Sequence, residues 1–320
     1  MSQVTAINLG GGSSDIKLQQ MVSQKKYPTR RGPGTSLVVF ISKTTMQSTI
    51  KKKSQNSVNG ESTRSTSLGR MMFGQQEHPD RQQATSCNNR DNLRIGTWNV
   101  RTMYQAGKFE NVKAEMNRCH IDVLGISEVR WLQSGKIISD DITMVYSGSI
   151  SNHEYGVGIL LNKKIAASLM GYYAISERVI LVKLNGHPFN IAIIQVYAPT
   201  ASSTEEQIEQ FYNDLDKAKE QCKSQEVLIV MGDMNAKIGH GTDESAVGPH
   251  GLGQRNERGD KFAEWCEQHD QVNTWYKKHP RHLWTWRNPA GTAKNQIDYI
   301  TIRKQCSCRC KNIPRSRLWQ

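Results

Sequence analysis

The sequence changes abruptly at Leu93, and this change limits the fold more than any other feature. From there to Ile302, short apolar runs alternate with longer stretches of helical periodicity, which is typical of an α/β domain. Several short runs are apolar on successive residues, as expected of central strands covered on both faces. The sequence therefore predicts an α/β domain over residues 93–302.

Apolar patterning and cap residues predict the individual elements of this domain. The predicted strands are Leu93–Val100, Val123–Ser127, Gly156–Asn162, Val179–Leu184, Phe189–Tyr197, Val227–Gly232, Leu283–Trp286 and Ile297–Ile302. The predicted helices are Lys108–Arg118, Thr204–Lys223 and Asn256–His269.

Residues 1–92 are rich in Ser, Gln, Gly and Lys and contain one short apolar patch, Ser36–Ser42. So little apolar surface does not offset the entropy lost on ordering, so we expect this region to be mostly disordered. Lys51–Lys53 is compatible with a nuclear import signal or a phosphate contact, although solvated lysine runs are more common.

The net charge of +13 is concentrated at the two ends of the chain. Residues 1–92 hold 13 basic against 5 acidic residues, and residues 303–320 hold 6 against none. The stretch between them holds 23 basic against 24 acidic residues. A basic excess indicates a polyanionic partner such as nucleic acid, bound by the ends or by local patches of the domain. Unselective solvated tails are the alternative.

Two absences bear on the class of protein. The sequence contains neither a run of eighteen apolar residues nor the features of a secretory signal, so we expect no membrane partner. Seven scattered cysteines do not resemble a disulfide framework, and reduced thiols are expected. These features predict an intracellular protein, nuclear rather than cytoplasmic if the partner is DNA.

Acids and amides follow the ends of several predicted strands. Asn99 lies near the end of the first, Glu128 follows the second, and Asp233 and Asn235 follow Val227–Gly232. Ligands of α/β folds gather at the carboxyl ends of strands, and Mg²⁺ prefers carboxylate and amide oxygens. Each residue taken singly also fits an ordinary turn.

These residues belong to an ordered set of motifs. The set is Thr97-Trp98-Asn99-Val100, Ile126-Ser127-Glu128-Val129-Arg130-Trp131, Val196-Tyr197-Ala198-Pro199-Thr200, Gly232-Asp233-Met234-Asn235, Thr285-Trp286 and Gln296-Ile297-Asp298-Tyr299-Ile300. In this order the motifs resemble those of the endonuclease/exonuclease/phosphatase superfamily. Within it they most resemble the apurinic-type endonuclease domain of non-LTR retrotransposons of the RTE/BovB kind, over about two thirds of the chain.

The resemblance implies a four-layered α/β sandwich of two packed mixed sheets flanked by helices. It also implies a phosphodiesterase that uses Mg²⁺ or Mn²⁺ to cut DNA. By position, Asn99 and Glu128 would hold the metal, and Tyr197 would hydrogen-bond the scissile phosphate. Asp233 would orient or deprotonate the attacking water, and Asn235 would donate to the phosphate as charge develops.

Three further roles follow from the same resemblance. Arg130 and Trp286 would contact the substrate, although a tryptophan buried in the core is an equally good interpretation of Trp286. Asp298 would orient a histidine that comes later in the family, within a Ser-Asp-His motif.

That motif is where the sequence departs from the family, because no histidine follows His282. The tail 303–320 is basic and carries Cys306, Cys308 and Cys310, which lack a second ligand pair at zinc-finger spacing. A weak metal site, a plain basic tail and a shifted or alternatively spliced reading frame remain three hypotheses. We expect the last strand to be missing, a sheet edge to be left uncovered, and catalysis to be weak or absent.

Two other functions stay open at this point. One is a non-catalytic protein that binds nucleic acid or a partner through its basic ends. The other is a phosphatase of the same superfamily.

Overall fold

A computed structural model describes residues 93–303 apart from 188, 242–244 and 289, together with four short strands before residue 44. The prediction of disorder for residues 1–92 falls, outside those strands, on residues that are not described. The tail 304–320 is not described either. In the described part of the chain, no helix has the length and apolar character needed to cross a membrane.

The described strands alternate with four α-helices. The strands are β1 (Gln3–Thr5), β2 (Asn8–Gly12), β3 (Asp15–Gln19), β4 (Val38–Lys43), β5 (Arg94–Asn99), β6 (Val123–Ser127), β7 (Ser134–Ser139), β8 (Ile142–Ser147), β9 (Val157–Asn162), β10 (Leu169–Ser176), β11 (Val179–Leu184), β12 (Ile191–Tyr197), β13 (Val227–Asp233), β14 (Asp270–Val272), β15 (Trp286–Arg287), β16 (Lys294–Asn295) and β17 (Asp298–Arg303). The helices are α1 (Lys108–Arg118), α2 (Lys163–Ala166), α3 (Glu205–Glu220) and α4 (Glu257–His269), and two single 3₁₀ turns occupy Asn273–Trp275 and Pro280–His282.

Two mixed sheets organise the described residues. The first has the strand order β1-β4-β5-β6-β9-β8-β7, and the second has the order β10-β11-β12-β13-β17-β14. In the first, β5 runs parallel to β4 and β6, and in the second, β12 runs parallel to β13. Strand β5 is also paired with β4, which overlaps the apolar patch noted in the N-terminal region.

The two sheets pack face to face over an apolar core. Side chains such as Ile95 and Ile159 of the first sheet meet Ile193 and Met231 of the second, all almost fully buried. Helix α1 covers the outer face of the first sheet, and α3 and α4 cover that of the second. This helix–sheet–sheet–helix order confirms the predicted four-layered α/β sandwich.

Local sequence explains where the helices begin. The Thr204 hydroxyl accepts the Gln207 backbone N–H at the start of α3, and the Thr204 backbone N–H donates to the Gln207 side-chain oxygen, which completes a capping box. Gly107 precedes α1 in the left-handed region, with φ of 78°, a conformation that glycine adopts without strain.

Several predicted elements agree with the structure, and one prediction is wrong. Strands β6 and β11 and helix α1 have the predicted bounds, and most others differ by one to three residues. The predicted strand Leu283–Trp286 is wrong, because pairing there is limited to Trp286 and Arg287 opposite β16. Strands β7, β8 and β10 were not predicted.

A polar bridge crosses the apolar core between the sheets. The carboxamide nitrogen of Gln195 on β12 donates to the hydroxyls of Thr97 and Ser127, each at 3.0 Å. Ser127 in turn donates to the Val196 carbonyl at 2.9 Å. The bridge fits because Gly125 carries no side chain, since a Cβ there would overlap the Gln195 carboxamide. Buried polar groups of this kind are stabilising only while every one of them is paired.

We therefore expect Gly125→Ala to lower the free energy of unfolding by about 2–3 kcal/mol, because it would displace Gln195 and break its hydrogen bonds. Chemical denaturation followed by circular dichroism would measure the change. Gly171→Ala on the edge strand β10 is the matched control, since nothing lies within 4 Å of its added Cβ. Equal stabilities of the two variants would contradict the proposed packing constraint.

Candidate active site

The parallel strand pairs bring the predicted site residues to one edge of the sandwich. On the first sheet Asn99 lies opposite Ser127 in register, directly before Glu128. On the second, Tyr197 lies opposite Asp233, and Asp233 lies opposite Asp298 on the antiparallel strand β17. The ends of β5, β6, β12 and β13 and the start of β17 therefore meet at one place.

The Asn99 side chain joins the acids of the two sheets. Its nitrogen Nδ2 donates to Glu128 Oε1 at 2.8 Å and to Asp233 Oδ2 at 2.9 Å. Its oxygen accepts the Arg101 backbone N–H at 3.0 Å. Because Asn99 and Asp233 are 2% and 1% exposed, this contact is sheltered from water and holds the two carboxylates close together.

Glu128 enters the site from a constrained loop. Both Glu128 and Arg130 have a φ of 59°, which is uncommon outside glycine and costs on the order of 1 kcal/mol or more each. Val129 N–H donates to the Gly156 carbonyl and Arg130 N–H to the Tyr155 carbonyl, so the loop is fixed on both sides. The Arg130 guanidinium then holds Glu128 Oε2 at 2.9 Å.

Tyr197 lies at the end of β12 with its side chain nearly buried. Burial raises the pKa of Tyr197 well above that of free tyrosine, and the negative charges of Glu128 and Asp233 raise it further. Its hydroxyl therefore keeps its proton at neutral pH and acts as a hydrogen-bond donor. Arg178 stabilises this end of β12. Its guanidinium donates to the Tyr197 carbonyl at 3.2 Å, and its Cζ lies 3.8 Å from the centre of the Tyr155 ring.

Asn235 and Asp233 are connected through a tight turn. The Asn235 backbone N–H donates to Asp233 Oδ1 at 3.1 Å, and the Asn235 φ of 46° makes this geometry possible. Its side-chain nitrogen donates to the Ala198 carbonyl at 2.8 Å. One of the two amide hydrogens is thus used within the protein, and the second does not bond to Ala198.

Asp298 is fully buried beside Asp233, and its backbone N–H donates to the Thr285 hydroxyl at 3.2 Å. Trp286, the next residue after Thr285, is half-buried on the small β15–β16 hairpin. The same edge of the sandwich thus holds seven of the predicted site residues, namely Asn99, Glu128, Arg130, Tyr197, Asp233, Asn235 and Asp298. Trp286 directly follows Thr285, whose hydroxyl contacts Asp298.

Sequence reasoning missed two residues that support this site. Arg178 lies in the turn between the edge strand β10 and the interior strand β11, and its only signal in the sequence was a charged residue directly before an apolar strand. Gln195 was hidden inside an apolar run, where a single polar residue on a central strand is itself informative because it needs a buried partner.

The donor groups fit a divalent cation that binds through few protein ligands. Within the described residues, no three His, Cys, Asp or Glu side chains cluster as a ready metal centre. Mg²⁺ does not require one, because it commonly binds one or two carboxylates and keeps several waters. Glu128 offers carboxylate oxygens, and the Asn99 carbonyl oxygen keeps a second lone pair beyond the one used by Arg101.

Comparison with known proteins gives consistent results. A family model described as "Endonuclease/Exonuclease/phosphatase family" matches residues 96–307. Craniofacial development protein 2 of Bos taurus is 41% identical over 213 residues, which are 66% of this chain and 36% of that protein. The chain therefore spans little more than a third of the length of this relative.

The fold is also found in a solved structure of another protein. AP endonuclease LMAP from Leishmania major superposes with a TM-score of 0.50 at 14% identity, over 66% of this chain and 79% of that one. The endonuclease domain of TRAS1, a telomere-specific non-LTR retrotransposon, gives a TM-score of 0.46 at 11% identity, over 65% and 83% of the two chains.

We expect Asn99→Asp to destabilise the protein by about 2–4 kcal/mol in EDTA, since it replaces the donor shared by two carboxylates with a third acid. Millimolar Mg²⁺ should recover much of this loss, because a cation that binds only the folded state stabilises it. Thermal unfolding with and without Mg²⁺ would measure both effects.

Asn185→Asp is the matched control, since Asn185 is exposed and distant from the site in the sequence and in the sheet. It should change stability little in either buffer. A loss at Asn99 that is the same in EDTA and in Mg²⁺ would count against cation binding here.

Proposed function

Because the chain belongs to the endonuclease/exonuclease/phosphatase family, we propose that it is a divalent-metal-dependent phosphodiesterase that cuts DNA. The observation that carries the proposal is the Asn99 carboxamide, which joins Glu128 and Asp233 from two different sheets. A buried acid held beside a second, more accessible acid is suited to water activation next to a cation.

In this proposal Glu128 and Asn99 hold Mg²⁺ or Mn²⁺. The cation would polarise a phosphoryl oxygen and offset the charge that develops on the phosphate. Arg130 keeps Glu128 oriented through one carboxylate oxygen, which leaves the other oxygen facing Asn99.

Asp233 orients the attacking water and takes its proton. Both of its carboxylate oxygens accept hydrogen bonds, from Asn99 and from the Asn235 backbone, so its position is fixed before substrate binds. Such preorganisation lowers the barrier because the site does not have to rearrange during the reaction.

Tyr197 and Asn235 donate to the phosphate. The raised pKa of Tyr197 favours a neutral phenol, which can donate to an anionic oxygen. Asn235 has one amide hydrogen that is not used by Ala198. In this proposal Trp286, on the β15–β16 hairpin, packs against the sugar.

The rate of this chain is expected to be low. No histidine follows His282 in these 320 residues, whereas the resembled family uses a Ser-Asp-His histidine at the phosphate. Losing one such donor or base costs about 10²- to 10⁴-fold in rate, which still leaves measurable nicking.

We also propose that the domain derives from a retrotransposon endonuclease that acts in the nucleus. The flanking residues Val100-Arg101-Thr102 and Gln296-Ile297-Asp298-Tyr299 support this origin over a lipid or nucleotide phosphatase. A second candidate, non-catalytic binding of nucleic acid, is favoured by the basic residues concentrated at the two ends of the chain.

The full chain should nick supercoiled plasmid in Mg²⁺, and Asp233→Asn should reduce nicking by about 10²-fold or more because it removes the base but keeps the shape. Gel separation of supercoiled and open circles measures the rate. Asp141→Asn, which alters an exposed acid that pairs with Lys163 on the surface, should nick like the wild type. Nicking that survives in Asp233→Asn would refute the proposed chemistry.

Replacing residues 304–320 by a family-type Ser-Asp-His ending should raise the nicking rate by about 10²- to 10⁴-fold, by supplying the missing phosphate contact. Equal rates with both endings would show that this contact does not limit the reaction. If neither version nicks and replacement of residues 45–92 by an uncharged linker, which leaves strand β4 in place, abolishes DNA binding, the non-catalytic candidate is favoured instead.

A further inference from the structure

An exposed aromatic pair stands beside the candidate active site and has no role in the chemistry described above. Tyr104 is 65% exposed, although most large apolar or aromatic side chains of the domain are buried. The centre of its ring lies 4.4 Å from that of His153, with the two planes inclined at 52°. The pair joins the loop after β5 to the loop before β9.

The backbone beneath Tyr104 is held firmly. The preceding residue, Met103, is buried, and its N–H donates to the Val129 carbonyl at 3.0 Å. The Trp131 indole donates to the Met103 carbonyl at 3.1 Å. Tyr104 therefore extends into solvent from a fixed base, so its exposure does not reflect a loose loop.

His153 is tied to the same segment from the other side. Its Nδ1 lies 3.0 Å from the carbonyl oxygen of Arg130, whose guanidinium holds Glu128. A single residue, Arg130, thus connects the aromatic pair to the carboxylate proposed to bind metal. A ligand resting on the pair would lie next to whatever occupies the site.

The surroundings favour an anionic ligand with flat, stackable groups. Arg101 is exposed three residues before Tyr104, and Arg130, whose carbonyl contacts His153, has a side chain that is 44% exposed, so each segment next to the pair carries a basic residue. Single exposed aromatics are common on protein surfaces and need no explanation. A rigid pair with flanking cations is the arrangement that binds unpaired nucleotides, by base stacking together with phosphate contacts.

We propose that Tyr104 and His153 form a stacking platform for an unpaired nucleobase, so that the protein binds DNA with an unpaired nucleotide in preference to fully paired duplex. The base of a paired nucleotide already has both faces stacked on its neighbours, and only an extruded or single-stranded base can stack on a side chain. This inference rests on the proposed function, because it names the form of DNA that the same site receives.

The test is binding of the full chain to two oligonucleotide duplexes in EDTA, where no cutting occurs. One duplex carries 2-aminopurine as a single-nucleotide bulge, and the other carries it paired with thymine. Fluorescence anisotropy reports the affinity, and 2-aminopurine quenching reports stacking of that base on an aromatic ring.

We expect the wild type to bind the bulged duplex more tightly and to quench its fluorescence. Tyr104→Ala should weaken binding of the bulged duplex by about 5- to 150-fold and remove the quenching, with little effect on the paired duplex. Tyr104→Phe should retain both properties, because the phenyl ring still stacks. Tyr173→Ala, on the edge strand β10, is the matched control for loss of an exposed tyrosine and should behave like the wild type.

The platform is refuted if Tyr104→Ala weakens both duplexes equally or changes neither, or if the wild type binds neither duplex. These results are independent of the cutting assay. Loss of selectivity in Tyr104→Ala would stand even if plasmid nicking failed, whereas intact nicking with unchanged selectivity would overturn the platform and leave the proposed function in place.

Discussion

Hydrogen bonds between the two sheets fix the relative positions of the strands that form the site. Asn99 reaches from β5 to Asp233 on β13. Two residues earlier on β5, Thr97 bonds to Gln195 of β12. Each of these groups is buried, so a shift of one sheet against the other would leave several polar atoms unpaired at about 1–3 kcal/mol each. The apolar core alone would tolerate small shifts, because its contacts are not directional. The polar contacts remove that freedom at the edge where the acids meet.

The same edge carries backbone strain that the surrounding hydrogen bonds support. Glu128, Arg130 and Asn235 all have positive φ, and each lies within two residues of a group in the proposed chemistry. This conformation turns Glu128 back towards Asn99 immediately after its strand ends. A residue in an extended conformation would continue in the strand direction and carry the carboxylate away. The strain is therefore the local cost of bringing acids from two sheets to within hydrogen-bonding distance of one amide.

How much could be foreseen from the sequence depends on whether the relevant signal is local. Strands β6 and β11 are continuous apolar runs and were predicted to the residue, whereas β7 alternates exposed and partly exposed residues such as Ser134 and Lys136 and gave no clear signal. The positions of Asn99, Glu128 and Asp233 followed from the rule that strand ends converge. The role of Gln195 did not, because its partner Thr97 lies 98 residues away and only the packing of two sheets brings them together.

Electrostatics links the buried acids to the surface loops. Glu128, Asp233 and Asp298 bring three formal negative charges to the site, and Arg130 and Arg178 bring two positive ones. A phosphodiester approaching a site with this net negative charge would be repelled. The domain between the basic ends has no excess of positive charge that would oppose the repulsion. A divalent cation would reverse the sign of the local charge and so admit the phosphate. In the proposed function, attraction and alignment of a nucleic acid before a cation binds come from groups at the rim, such as Arg101 and the ring of Tyr104. The proposed binding and the proposed chemistry therefore use different parts of the same edge, and Arg130 connects them through its contacts with His153 and Glu128.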